Sequence, residues 1–495
     1  MAIRNVLPVL SLCLVACGST ADRGGASGQP PPSNAPSAQA FGRGGDLGVR
    51  GRHVGKVFVI AMENHNLTQP STQEAPQPIL GNAAAPYVNS LMTPGNPNAA
   101  QSSYAVSYHN AGVGVHPSEP NYIWAEAGTN FGNHTDADPT TANGNVYDAP
   151  HLTRQLDAAR VPWKNYEEDV QLSTSPLKSA SGTNGPVNPY NGTTQFNYAV
   201  KHNPMAFFSD TDTENVYPLT QFSQDLAAHA VGRYNWITPD QYNDAHSALT
   251  GGFTYKGTLF TGDQASIAQG DNFLSQIVPM IMASDEYEDD GVIVIWWDES
   301  EDGDDPSRTV PEIVLSHLAK GNAFASNVEM NHSSDLKTME ELFGLSFVNN
   351  PIPSGETNAF GTGFNSVAIV NDLSDLFVPG VIPGPRTFRV TSGPTIAVPG
   401  SQDVLQLVTV RNSGRSLAPA PVALVLDNLA SGVTLANADG TSAVLAPVGS
   451  PFVNLTVPGG FLFPGETTAA LLRFTDSGSA AVSYDTRVLT VAPSP

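Results

Sequence analysis

Cysteine is almost absent from this chain of 495 residues; there are two, Cys13 and Cys17, both near the start. Beyond residue 17 no disulfide can form, so packing, together with any bound metal, must stabilise the folded part. Positive charge is also scarce. Lys and Arg number 22 against 46 Asp and Glu, a formal net charge of −24. The imbalance is local: residues 53–384 carry 11 basic against 38 acidic residues, whereas residues 385–495 carry 6 of each. That step marks a domain boundary, and the acidic surface excludes nucleic acid and an anionic membrane face as partners of the main part. Long apolar runs are missing too. Val6–Val15, behind Arg4, is too short to span a bilayer as a mature helix.

What the start does contain is a targeting pattern. Arg4, the apolar stretch and Leu14-Val-Ala-Cys17 resemble a bacterial signal peptide with a lipobox, residues 1–17. The resemblance implies cleavage before Cys17 and acylation of its thiol, which anchors a protein to the cell envelope without a transmembrane helix. Residues 18–52, with Gln29-Pro-Pro-Pro32, are rich in Gly, Ser, Pro, Ala and Gln. They cannot bury a core and read as a flexible tether.

From residue 53 to 384, apolar runs of strand length alternate with helical segments. Lys56–Met62 and Gly291–Trp297 are continuous apolar runs, the mark of strands covered on both faces. Ala149–Arg160, Asp271–Ser284 and Ser334–Leu345 read as helices, the last with Ser334 as N-cap, and Tyr234–Thr238 as a short strand. The pattern predicts an α/β fold with a mostly parallel sheet, its sites at the strand carboxyl ends. Residues 385–495 instead show short runs (Val404–Val410, Val422–Leu426, Ala470–Phe474) with turns at Asn412-Ser-Gly414 and Pro464-Gly465. That texture predicts an all-β sandwich of immunoglobulin-like type, read as a spacer or packing module.

The residues suited to chemistry come in order. Glu63-Asn64 ends the first apolar run, and Asp298-Glu299 ends the later one. Between them lie His116-Pro-Ser-Glu-Pro-Asn-Tyr122 and Asp244-Ala-His246; His332 follows. Ser118 reads as the N-cap of a helix ending near Gly128, where backbone N–H groups can face a phosphoryl group. His116 and Asn121 can donate to nonbridging oxygens. Glu63, Asn64, Asp244, His246, Asp298, Glu299 and His332 make an oxygen- and nitrogen-rich set suited to divalent cations, with Asp240 as a competing ligand. The acidic tail after Glu299 does not match a helix–loop–helix calcium pattern and reads as a solvated loop. A hydroxyl nucleophile among such ligands is what metal-assisted phosphoryl transfer requires.

These stretches, with Trp163-Lys-Asn-Tyr166 and Ile237-Thr-Pro-Asp240, resemble the phosphoesterase family of secreted acid phosphatases and phosphatidylcholine-type phospholipases C, within the alkaline-phosphatase-like superfamily. The resemblance covers most of residues 53–375. It implies metal binding by Glu63 and Asn64, by Asp244 and His246, by Asp298 and Glu299, and by His332. It places Ser118 where relatives carry a Thr or Ser nucleophile. Where the phospholipase branch continues with a Gly-rich, His-containing loop, this chain has Ser300-Glu-Asp-Gly-Asp-Asp305. Relatives with two zincs use His at the position of Glu299, so Zn, Ca, Mg and Mn all stay open. The expectation is a lipid-anchored phosphomonoesterase acting on a small phosphorylated substrate through a phosphoserine. The alternatives are a phospholipase C or phosphodiesterase on the same scaffold, and a non-catalytic surface-binding lipoprotein.

Overall fold

Val57–Met62 (β1) is apolar at all six positions and buried at all six, so it needs neighbours on both edges and cover on both faces. It finds them at the centre of an eight-stranded sheet. The other strands are Ser102–Ala105 (β2), Trp163–Glu167 (β3), Val216–Pro218 (β4), Tyr234–Thr238 (β5), Val292–Trp297 (β6), Glu312–Leu315 (β7) and Phe324–Ser326 (β8). Their spatial order is β8-β2-β7-β6-β1-β5-β3-β4. β6, β1, β5, β3 and β4 are parallel; β7 runs against both its neighbours. The expected α/β architecture with a mostly parallel sheet is therefore present. The computed structural model describes residues 54–490, apart from 174–176, 212, 305, 349, 351–369, 383–387, 414–417, 443–448, 464 and 477–481. The signal peptide, Cys17, the tether and the turn residues Gly414 and Pro464 lie outside the described residues.

Helices Pro86–Leu91 (α1), Ser118–Ala127 (α2), Leu152–Ala158 (α3), Leu219–Ala227 (α4), Asp263–Met282 (α5), Asp285–Glu288 (α6) and His332–Phe343 (α7) accompany the sheet. The main core joins β1, β5 and β6 to α5 through Ile267, Phe273, Leu274, Ile277 and Ile281. Each such aliphatic side chain, fully buried, contributes about 1.5–3 kcal/mol. α5 begins at Asp263, not Asp271, and α3 is shorter than Ala149–Arg160. α7 starts at His332: the cap is Asn331, whose side chain accepts from Ser333 N, while Ser334 closes a capping box from the third helical position. Among the described residues no helix is long and apolar enough to cross a membrane.

Past residue 387 the chain forms two four-stranded antiparallel sheets. One holds Phe388–Ala397, Asp403–Asn412, Thr467–Asp476 and Val433–Leu435; the other holds Gly440–Thr441, Pro451–Leu455, Val422–Asp427 and Asp485–Leu489. Val408, Val410, Leu472 and Phe474 of the first share a core with Leu424, Leu426, Val453 and Leu455 of the second, which makes a sandwich. The opposite face of Val422–Asp427 is buried as well. Ala423 and Val425 there pack with Phe452, Leu489 and Phe347, a residue just beyond α7.

Candidate active site

Because β1, β3, β5 and β6 are parallel, the residues that follow them emerge at one edge of the sheet. β1 delivers Glu63, β6 delivers Asp298, and the loop after β5 delivers Asp240 and Asp244. Glu63 N donates to Asp244 O at 2.8 Å, and Asn64 N to Asp298 Oδ1 at 3.2 Å. Two backbone positions here are left-handed, Asn64 (φ 56°) and Ala245 (φ 79°). The second is costly for a residue with a Cβ, typically about 1–3 kcal/mol. It is held in place from behind: α5 presents Gly270, where a Cβ would lie 2.9 Å from the Ala245 Cβ. The ligand-bearing loop is thus seated by a glycine of a distant helix.

The candidate hydroxyl comes from α2. Its N-cap is Pro117, which has no side-chain cap bond, and Ser118 is the first helical residue. The expected capping role of Ser118 is therefore corrected, and its hydroxyl is spent elsewhere. Ser118 Oγ donates to Glu63 Oε2 at 2.9 Å, with Glu299 Oε1 at 3.4 Å. His116 Nδ1 contacts Glu299 Oε2, and its Nε2 lies 2.9 Å from Asp304 Oδ1. Asn121 donates to the Val115 and Pro117 carbonyls, at 3.0 and 3.2 Å, and reaches Glu299 Oε2 at 3.5 Å. Its donors hold the turn that places Ser118.

His202, unforeseen in the sequence, closes the site. Its Nδ1 lies 3.1 Å from Asp244 Oδ2, which assigns the ring proton to that nitrogen. Nε2 then turns a lone pair toward Glu63 Oε1, 3.1 Å away. The two atoms make no hydrogen bond there, and both are buried. The ring stacks on Tyr122 at 5.1 Å. Glu63, His202 and His246 present ligand atoms all within 4.8 Å of one another.

Electrostatics fit a cation at this point. Burial first, then Asp298 and Asp244, push the Glu63 carboxyl far above its ordinary range. Burial likewise raises Asp244 and Asp298, and raises Glu299 to about 7. Asp298 Oδ2 is buried without a hydrogen-bond partner among the described residues. Burial and the Lys201 charge keep the imidazoles neutral, His246 down to about 4 and His202 well below its usual range. The outer atom of the Asn64 amide lies 3.1 Å from both Glu63 Oε2 and Glu301 Oε1. As nitrogen it donates to both; as oxygen it joins them around a cation. Carboxylates crowded with neutral imidazole lone pairs are a donor set for a divalent metal.

Of the residues expected from sequence, Glu63, Asn64, His116, Ser118, Asn121, Asp244, His246, Asp298 and Glu299 converge here. His332 does not join the hydrogen-bonded cluster. Its Nε2 meets the Trp297 carbonyl at 3.2 Å, and its ring packs against Trp296. Asp240 instead caps its own loop through Tyr242 N and Asn243 N, both 3.1 Å away. Besides His202, sequence reasoning passed over Lys201 and Asp136. The reading of the tail after Glu299 as a solvated loop is corrected, because Asp304 holds His116 and Gly114 N, and Glu301 reaches Asn64. The available signal was Lys201-His-Asn-Pro204, a basic pair at a Pro turn just after the apolar Tyr198-Ala-Val200.

A buried serine hydroxyl bonded to a strand-end glutamate, inside a carboxylate–imidazole cluster, is an arrangement suited to hydrolysis of phosphate esters. The chain belongs to the Phosphoesterase family, whose model matches residues 98–346. It is 27% identical over 267 residues to a phosphatidylinositol-3-phosphatase of Mycobacterium tuberculosis, covering 54% of this chain and 72% of that one. Similarity to a phosphate-repressible acid phosphatase of Penicillium chrysogenum is 26% over 204 residues, 40% of this chain and 42% of the other; the match thus spans less than half of the fungal protein. Among solved structures, a protein in the alkaline phosphatase superfamily from Vibrio parahaemolyticus aligns with a TM-score of 0.39 at 9% identity. That alignment covers 72% of this chain and 77% of the other.

Proposed function

We propose that this protein is a metal-dependent phosphomonoesterase that works through a phosphoserine on Ser118. The observation that carries the reading is the 2.9 Å hydrogen bond from Ser118 Oγ to Glu63 Oε2. Glu63 accepts the hydroxyl proton as Oγ attacks phosphorus in line. His116 holds a proton close by: burial opposes its charge, but hydrogen bonds to Asp304 and Glu299 outweigh this and raise it to about 10. It supplies that proton to the leaving oxygen, and water then hydrolyses the phosphoserine. Glu63, Asn64, Asp244, His246, Asp298 and His202 would hold the metal, and the two imidazoles favour zinc over calcium or magnesium. Bound there, a divalent cation supplies Lewis acidity that favours the serine alkoxide and offsets charge on the phosphoryl oxygens.

The names of the relatives, a phosphatidylinositol-3-phosphatase and an acid phosphatase, support monoesters over diesters. Turnover of p-nitrophenyl phosphate, bis(p-nitrophenyl) phosphate and phosphatidylcholine tests the reading. Preference for the first supports it; preference for either of the others replaces it with a phosphodiesterase or phospholipase C. No turnover of any, in protein loaded with each candidate metal, leaves a binding lipoprotein. Export and lipid attachment at Cys17 to the cell envelope complete the proposal, on the strength of Leu14-Val-Ala-Cys17. Cys17→Ser should move the protein from the membrane fraction to the soluble one.

A further inference from the structure

α2 starts on a proline that cannot cap it, and the missing acceptor comes from a loop. Asp136 Oδ1 accepts from Glu119 N at 3.2 Å, and Asp136 Oδ2 accepts from Lys201 Nζ at 2.8 Å. Glu119 directly follows Ser118. The Lys201 ammonium also lies 3.4 Å from His246 Nε2, so it stands between the Asp136 loop and the metal group. One carboxylate therefore bridges a helix N-terminal N–H and an ammonium beside the nucleophile. Nonbridging oxygens of a phosphoryl group attacked by Ser118 need donors in that same place.

We infer that Asp136 is a built-in stand-in for the phosphoryl group: Glu119 N–H and Lys201 are ligands of the substrate's nonbridging oxygens, and Asp136 gives them up when substrate binds. This rests on Ser118 being the nucleophile. A phosphate dianion and Asp136 cannot both take Glu119 N–H and the Lys201 ammonium, and two anions crowded on one ammonium would set like charges against each other. The exchange needs little movement of the chain. The loop is pinned on both sides of Asp136, because Asn133 and Asn145 both donate to Glu119 Oε1. The Asp136 side chain itself is 32% exposed and can swing into solvent. Asp136 is then a residue that sets phosphate affinity, and Lys201 one that binds phosphate.

Competitive inhibition by inorganic phosphate in the metal-loaded full-length protein tests this, with calorimetric phosphate binding as a readout independent of turnover. Asp136→Ala should tighten phosphate about tenfold and lower KM, and Lys201→Met should weaken it about tenfold, the worth of one charge-assisted contact. In the Lys201→Met background, Asp136→Ala should give a smaller gain, because only Glu119 N–H is then released. Asp136→Asn, which keeps an acceptor for Glu119 N, should shift affinity the same way if the alanine variant does not fold. Phosphate affinity that stays the same or falls when Asp136 is replaced overturns the inference and leaves Asp136 a helix cap. Failure of the underlying reading looks different: Ser118→Ala would then keep the parent's turnover.

Discussion

Ser118 and Glu63 meet across 2.9 Å although 55 residues of chain separate them. The carboxylate that accepts from Ser118 is also one whose charge is costly, buried and flanked by Asp298 and Asp244. Function and stability therefore pull in opposite directions at Glu63. In metal-free protein near neutral pH, Glu63→Gln should raise the melting temperature by a few degrees, because the amide is neutral without the proton that burial, Asp298 and Asp244 force onto the Glu63 carboxyl. In metal-loaded protein the same change should cut kcat about a hundredfold or more, on the scale of losing a general base. Thermal melts with and without chelator, beside steady-state kinetics, read both. A variant less stable than the parent in chelator would mean that the cluster is held by shared protons and not strained by charge.

The loop carrying Asp244 and His246 depends on Gly270. A Cβ there would lie 2.9 Å from the Ala245 Cβ and 3.0 Å from the Met62 Cε. Gly270→Ala should cost about 1–3 kcal/mol by overpacking. It should also weaken metal retention, since the Met62 side chain can move aside but Ala245 can yield only by shifting the loop between Asp244 and His246. Equilibrium unfolding together with metal content after dialysis checks both. A variant that loses stability but keeps its metal would show that the helix yields and the loop does not.

Much of this was legible in the sequence, for a physical reason. A buried parallel strand must be apolar throughout, so β1 and β6 announce themselves, and the first polar residues beyond them, Glu63 and Asp298, fall at the functional edge. Tyr234–Thr238 matches its expected bounds as well, although its buried Asn235 and Thr238 break the apolar run. His202, Lys201 and Asp136 were not legible. Asp136 sits in an irregular loop, and Lys201 and His202 in a single 3-10 turn, Val200–His202; one turn or less is too short to show a period. Ser118 was placed correctly but explained wrongly, since Pro117 is the cap residue and the hydroxyl faces Glu63. The end of α2 was foreseen because Gly128 takes the left-handed conformation (φ 64°) that glycine tolerates.

Glu119 gives a pH signature. Burial raises its carboxyl from the ordinary 4.5 to about 8, against hydrogen bonds from Asn145 and Asn133 that lower it. Between those values the folded state holds a proton that the unfolded chain has released. Stability is therefore greatest in acid and falls as pH rises from about 4.5 to about 8, with a limiting slope of about 1.4 kcal/mol per pH unit for this group. Glu119→Gln should flatten that part of the profile. Denaturant unfolding at pH 5, 6, 7 and 8 measures it; parallel profiles for parent and variant would show that Glu119 is ionised in both states.

The central claim is a covalent phosphate on Ser118. Its most direct test is to quench the metal-loaded protein in acid during turnover of p-nitrophenyl phosphate and locate phosphate by peptide mass spectrometry. One phosphoryl group on the peptide containing Ser118, absent from Ser118→Ala together with most of the turnover, is the expected result. Sustained turnover with no phosphate on that peptide, and a Ser118→Ala variant within about tenfold of the parent, roughly 1.4 kcal/mol of barrier, would contradict it.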